Sequence, residues 1–360
     1  MYIVKKLEKI NSNPQNNTNA ECVSIGDPEL LNLAKNAIDS VDQIEWTKIR
    51  KATNIYESPC NVGNIKNKKI VSRAFYKLWE ILVDFDIPTK GDSFHICDAP
   101  GGFIQAMMAY KPNTIDLAFT VSLMSDDDQD VPQYNKSLLS NKNVRVLETM
   151  NKNDITNCAT IIDILKKMKP CTNINVITGD GGITEKNGDY NNKEVNHLVL
   201  IASQILLGLS VLNNNGYFIL KIFDIYTLDT VQLLMLLNGC FEEIYITKPN
   251  TSRPTNSEKY IVCKKFSKDS FCSSTKNSLF RFIFSKKNSG LKIQNVPMHF
   301  IEQIKKINNL FTEAQIKCID NNIDIINQNT CAKKKIINDF ADKKRIFCKN
   351  WLIKYRVNLL

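Results

Sequence analysis

The chain has 360 residues, and 47 Lys and Arg against 37 Asp and Glu give it a net charge of +10. With 43% hydrophobic and 23% charged residues it can bury a core in one large domain or two small ones, which excludes wholesale disorder and collagen-like or mucin-like chains. No run approaches the ~20 apolar residues of a membrane helix. The start MYIVKKLEKI lacks the apolar stretch of a signal peptide, and eleven cysteines without a CxxC pair read as scattered thiols in a reducing compartment inside the cell.

In chain order, residues 11–19 (NSNPQNNTN) contain no apolar side chain and read as a linker or mobile surface loop. Over 28–41, Leu30, Leu31, Leu33, Ala34, Ala37 and Ile38 recur at helical spacing and predict a packed helix. A second helix is expected over 72–85, with Ala74, Phe75, Leu78, Leu82 and Phe85 on one side. From residue 94, β-rich runs (94–97, 115–123, 174–178, 216–223) alternate with helical ones (102–110, 155–168, 194–212, 227–237). That order predicts a parallel sheet covered by helices on both faces. Two further runs, 243–247 and 260–265, are joined by a polar loop without a helix, so they should pair antiparallel at one edge of the sheet. Beyond 267 the pattern becomes basic amphipathic helices, notably 298–310 and 332–355. The expected division is a helical or linker extension over 1–60, an α/β domain over 61–266 and a basic, mainly helical extension over 267–360.

The charge is unevenly placed. Residues 264–360 hold 20 Lys and Arg against 7 Asp and Glu, so the rest of the chain is slightly acidic. Clusters such as Lys333-Lys334-Lys335 and Lys343-Lys344-Arg345 would neutralise phosphates and release counterions, making nucleic acid the leading partner; solvated helix faces are the plainer reading. A protein partner docking on Ile336, Ile337, Phe340, Phe347 and Trp351 is the competing use of the last helix.

Three short segments carry chemistry. Cys97-Asp98-Ala99-Pro100-Gly101-Gly102-Phe103 follows a strand and opens a helix, where glycines allow close backbone approach and the helix end offers unpaired N–H groups. It is neither GxGxxG nor GxxxxGK[ST], which disfavours a nicotinamide cofactor and ATP hydrolysis. Gly179-Asp180-Gly181-Gly182 ends another strand, so Asp180 should face the same crevice. Lys221 sits inside the apolar run Leu220-Lys221-Ile222-Phe223, where a charge is costly unless paired or functional. His95, His197 and His299 show no metal spacing and read as structural or surface residues.

Together these segments resemble the FtsJ-like ribose 2'-O-methyltransferases, whose tetrad is Lys, Asp, Lys and Glu. The match runs through Ser72-Arg73-Ala74-Phe75-Tyr76-Lys77-Leu78, Asp98–Phe103, Asp180-Gly181-Gly182, Lys221 and Glu258. The stretch from Lys248 to Val262 is similar to the KPxxSRPxNSExYxV signature of the cap-specific branch found in eukaryotes and large cytoplasmic DNA viruses. The resemblance implies a Rossmann-like methyltransferase fold and S-adenosylmethionine as methyl donor, without a metal. It further implies Lys77, Asp180, Lys221 and Glu258 as catalytic residues, and methyl donor contacts from Ser72, Asp98, Ala99, Pro100, Gly101, Gly102, Phe103, Asp154 and Asp180. Asn191, Lys193, Ser252, Arg253 and Asn256 are the expected substrate contacts. The acidic run Asp126-Asp127-Asp128 is read as a solvated loop.

The implied reaction is in-line displacement by a ribose 2'-hydroxyl, with Lys221 as general base, tuned up by a neighbouring carboxylate and down by a neighbouring cation. Capped RNA is the implied substrate, with other capping or transcription proteins as further partners and no membrane. Methylation of rRNA or tRNA is the alternative reaction. A non-catalytic RNA-binding or polymerase-accessory subunit is the alternative from another class, and its mark would be a broken tetrad.

Overall fold

The computed structural model of the chain describes residues 3–9, 25–57, 59, 70–125, 128, 130–171, 173–183, 191–285, 290–291 and 295–357. Its strands are β1 (Ile3–Lys6), β2 (Gly91–Ile96), β3 (Ile115–Val121), β4 (Val144–Val146), β5 (Ile174–Gly179), β6 (Tyr217–Ile222), β7 (Phe241–Lys248) and β8 (Lys259–Phe266). They form one sheet in the order β1-β7-β8-β6-β5-β2-β3-β4. From β4 to β6 every pairing is parallel, whereas β8 runs antiparallel to both β6 and β7. The helices are α1 (Pro28–Ala37), α2 (Gln43–Thr53), α3 (Ala74–Asp84), α4 (Gly102–Tyr110), the single turn α5 (Lys136–Leu139), α6 (Cys158–Met168), α7 (Lys193–Val211), α8 (Leu228–Cys240), α9 (Ser273–Phe284), α10 (Met298–Ile326) and α11 (Thr330–Lys354).

Strand parity sorts the core into two layers. Phe94, Ile96, Ile177, Leu220 and Ile222 face one side, where α6, α7, α8, α9 and the first half of α10 bury Ile161, Leu206, Leu234, Phe282 and Ile304. Ala118, Val176, Ile219, Tyr260 and Val262 face the other, against Phe75, Leu78 and Leu82 of α3, Phe103 and Met107 of α4, and Trp351 and Leu352 of α11. Lys221 has the parity of Ile219, which aims it at the α3 side.

The expected alternation of strands and helices from residue 94 is present, with several differences. β7 and β8 are antiparallel as expected, but β8 lies inside the sheet, and the edge beyond β7 is taken by β1. A four-residue strand, IVKK, is too short to announce itself by alternation, and so is the three-residue β4. The helix expected from 155 starts at Cys158, capped by Asn157, whose side chain accepts from the Ala159 N–H. α10 continues sixteen residues past 310 because Phe311, Gln315, Ile319, Asn322 and Ile325 prolong its buried stripe with polar members. In α1 only Leu31 and Ala34 are buried, while Leu30 and Leu33 stand 58% and 65% exposed. Contrary to the expectation that no segment is apolar enough to cross a membrane, α7 passes that test by length and composition; here 78% of its apolar window is buried in the core. The loop at 11–19, and Asp126 and Asp127, lie outside the described residues.

β2 sends the chain to β3 on one side and is flanked by β5 on the other, so the sheet has its switch point between β2 and β5. Ligands of open α/β sheets bind in the crevice outside the carboxyl ends at that point. There the Asp180 N–H donates to Ile96 O at 3.0 Å, bringing the ends of the two strands together.

Candidate active site

The four tetrad positions converge at this crevice as two ion pairs. Lys221, near the end of β6, lies 3.1 Å from Asp180 Oδ1 and donates to the Asp180 carbonyl at 2.6 Å. Lys77, on the second turn of α3, donates to Glu258 Oε2 at 2.8 Å. The antiparallel register sets Tyr260 opposite Lys221, and its hydroxyl donates to Asp180 Oδ1 at 3.3 Å. Because β8 runs against β6, its starting end meets the carboxyl end of β6, and Glu258, one residue before β8, arrives at the same crevice.

Electrostatics couple the two pairs. Burial disfavours the Lys221 ammonium, but the charges of Asp180 and Glu258 outweigh it and its pKa is raised. Burial likewise pushes Glu258 up, yet Lys77, Lys221 and Lys248 together hold its carboxyl well below the usual range. Cys97, on the same wall, has its thiol pushed up to about 12 by burial and remains protonated. Burial lowers His95 to about 3 and His197 to about 4, so both are neutral near pH 7.

A cleft of about 500 Å³ opens at the switch point, lined among others by Ala99, Ser122, Asp154, Asp180, Gly182 and Lys221. Of the expected methyl donor contacts, Ala99, Asp154 and Asp180 line it. Asp154 accepts from the Thr156 N–H and hydroxyl through Oδ1. Asp98 and Phe103 are instead buried beneath the loop: the Asp98 carboxylate accepts the N–H groups of Phe103 and Ile104, both at 2.8 Å, and so shapes the start of α4. Gly101 sits at φ +106°, and a Cβ there would lie 2.1 Å from Leu138, so its first need is its own backbone conformation. At Gly102 a Cβ would meet Ser72 Oγ at 2.2 Å; this glycine lets α3 pack on the loop. Pro100 precedes this turn and its carbonyl accepts from the Asn135 N–H. Ser72 Oγ is buried without a hydrogen-bond partner among the described residues.

A second cavity, of about 300 Å³, is lined by Lys35, Trp46, Arg50, Lys193, Asn256 and Gln315, among others. Phe223 stands between the two spaces, with Lys193 Nζ 4.5 Å and Lys221 Nζ 5.9 Å from its ring centroid. Lys193, an expected substrate contact, thus lies one ring away from Lys221, and Asn256, another, lines the same cavity as Lys193. The others are placed differently. Asn191 donates to Asn36 Oδ1 at 2.8 Å. Ser252 is buried and donates to Glu258 Oε1 at 2.8 Å, and Arg253 pairs with Glu57 at 2.5 Å.

Sequence reasoning missed the residues that hold this loop. Glu80 accepts the N–H groups of Asn250 and Thr251, both at 2.8 Å. Buried Lys248 donates to Asn256 O at 2.6 Å, Glu258 O at 2.7 Å and Ser252 Oγ at 3.3 Å. Glu57 binds both Arg73 and Arg253, and Arg73 also donates to Thr251 O at 2.6 Å. The available signal was the rarity of buried charges; nothing local identified their partners.

The family model of the FtsJ-like methyltransferases matches residues 70–266, more than half of the chain. The chain belongs to the FtsJ-like methyltransferases. Among its relatives, the African swine fever virus protein described as "Probable methyltransferase EP424R" is 28% identical over 314 residues, covering 82% of this chain and 72% of that protein. The Dictyostelium discoideum "Cap-specific mRNA (nucleoside-2'-O-)-methyltransferase 1" is 29% identical over 80% of this chain and 41% of its own length. The corresponding methyltransferase 2 of Pongo abelii is 23% identical over 90% of this chain and 46% of its own. A solved ribosomal RNA methyltransferase structure from Plasmodium falciparum, 23% identical, covers 54% of this chain and 98% of that one at a TM-score of 0.42.

FtsJ-like methyltransferases use S-adenosylmethionine. The residues fit it: the cleft lies at the switch point and carries carboxylates at Asp154 and Asp180, and Ser72, whose buried hydroxyl has no partner among the described residues, sits behind the Gly101-Gly102 turn.

Proposed function

We infer that the chain methylates the ribose 2'-hydroxyl of the first transcribed nucleotide of capped mRNA. The observation that carries this is the pair of linked ion pairs, Lys221–Asp180 and Lys77–Glu258, at the edge of a cleft sized for the methyl donor. S-adenosylmethionine, when bound, supplies a methyl carbon attached to a positively charged sulfur. Lys221 lines the cleft, so a hydroxyl arriving from the Lys77 side would meet Lys221 Nζ; as its oxygen bonds the methyl carbon and the carbon–sulfur bond breaks to leave a neutral thioether, Nζ in its uncharged form would accept the hydroxyl proton. Asp180 fixes Lys221 through its carboxylate and its carbonyl, and Glu258 fixes Lys77. Holding both reactants in line provides most of the remaining rate.

A capped substrate is supported by the names of the Dictyostelium and Pongo relatives and by the second cavity, where Lys35, Arg50 and Lys193 could meet nucleotide phosphates beside Trp46. The test is methyl transfer from labelled S-adenosylmethionine to capped and uncapped forms of one short RNA, with the modified sugar mapped. Label on the first ribose of the capped form alone is expected. Equal labelling of uncapped RNA, or label at internal sugars, would move the reading to rRNA or tRNA. No transfer despite methyl donor binding would leave a non-catalytic RNA-binding subunit.

A further inference from the structure

We propose that the joint between α2 and the second half of α11 is a platform for single-stranded RNA. It would hold nucleotides beyond the methylated one, with phosphates against Lys51, Lys343 and Lys344 and bases against Phe340 and Phe347. This rests on the reading of the chain as an RNA methyltransferase, but it concerns residues outside the family match at 70–266.

α11 carries eight Lys and Arg against two Asp. At 100° per residue, Phe340, Lys343, Lys344 and Phe347 share one side of it, and seven residues separate the two rings by about 10 Å along the axis. Phe347 is 43% exposed yet held in place, edge-on to Tyr56 at 6.3 Å between centroids. Lys343 lies 5.4 Å from the Phe340 ring, and Lys344 donates to Lys51 O at 2.6 Å, which seats the helix on the end of α2. Phe340 is half-buried and Phe347 exposed; accessible aromatic rings with lysines between them are the pattern by which proteins stack bases and neutralise phosphates of single strands.

The platform is joined to the tetrad. Tyr56 is followed by Glu57, one carboxylate serving the two cations Arg73 and Arg253, so this link keeps an excess positive charge. Arg253 follows Ser252, whose hydroxyl donates to Glu258. The face left for a protein partner is reduced, because Trp351 of the expected docking stripe is buried in this chain's own core, edge-on to Tyr76 at 5.8 Å.

The test compares binding of fluorescent capped RNAs of three and fifteen nucleotides over a salt series. The wild-type protein should bind the longer RNA more tightly. Phe347→Ala should weaken the long RNA about tenfold, and Lys343→Gln with Lys344→Gln should lower its salt slope by about 1.4, from roughly 0.7 per phosphate contact. Lys343→Glu, at an exposed position, repeats the charge test without touching the Lys344–Lys51 bond. Calorimetry with S-adenosylmethionine verifies folding. Equal binding of both lengths by the wild type, or an unchanged long-RNA affinity and salt slope in folded variants, overturns the proposal and leaves this face to a protein. Methyl transfer to the three-nucleotide capped RNA reports on the enzymatic reading separately, so either can fail alone.

Discussion

To act as a base Lys221 must release its proton, whereas Asp180 and Glu258 hold the ammonium on. In the free enzyme the neutral amine is therefore a small fraction near pH 7, growing tenfold per unit as pH rises toward a pKa above the ordinary lysine value. Transfer measured in single turnover should climb through neutral into alkaline pH. Asp180→Asn should move that climb to lower pH while reducing the maximum; a rate already flat between pH 6 and 8 in the wild type would remove Lys221 as the titrating base. Lys221→Met should cost ~10²–10⁴ in rate with methyl donor affinity, read by calorimetry, nearly unchanged. Two of the tetrad were legible locally, Lys221 as a lysine inside an apolar strand and Asp180 as an aspartate between glycines; Lys77 and Glu258 were reached only through the family resemblance, because nothing in their immediate neighbourhood sets them apart. Glu57 and Glu80 were not legible, because their partners Arg253 and Asn250 lie 196 and 170 residues away and only the fold brings them together.

The polar loop between β7 and β8 shows how an element without regular hydrogen bonding is made rigid. Glu80 binds its backbone from α3, one turn beyond Lys77, while Lys248 closes its two ends. Burial lowers Lys248 to about 7, but three acceptors within 3.3 Å favour its charged, fully donating form. Glu80→Ala leaves two N–H groups without their partner, at ~1–3 kcal/mol each, so the urea midpoint should fall. Turnover should fall further than methyl donor affinity, since Glu258 and Lys77 depend on the loop and the cleft does not; a loss of methyl donor affinity as large as the loss of turnover would contradict this. β5, α4 and α7 were legible from their periods. β1 was not, because four residues carry too little alternation and its stability comes from pairing with β7.

At the scale of the molecule, both layers of core include residues from beyond 266: Leu279, Phe282 and Phe300 on one side, Trp351, Leu352 and Tyr355 on the other. A chain ending at residue 266 should therefore fail to give a cooperative thermal transition, and Trp351→Ala should cost ~3–5 kcal/mol. Stability should also depend on pH through His95, held neutral between Ser93 and Thr178. Its folded pKa of about 3 lies below the ~6.5 of an unfolded chain, so the unfolded state takes up a proton that the folded one refuses. Stability should fall by about 1.4 kcal/mol per pH unit from this group as pH drops from ~6.5 toward 3, and urea midpoints of the wild type and His95→Gln should converge over that range. The edge strand β1 carries a consequence in time. Ile3 pairs with Lys248, so during synthesis β1 waits for a partner made more than 240 residues later, about 12–50 s at ~5–20 residues per second. Throughout that interval its hydrogen-bonding edge is exposed to any other strand in reach, and the speed of synthesis becomes a determinant of how much chain reaches the native sheet.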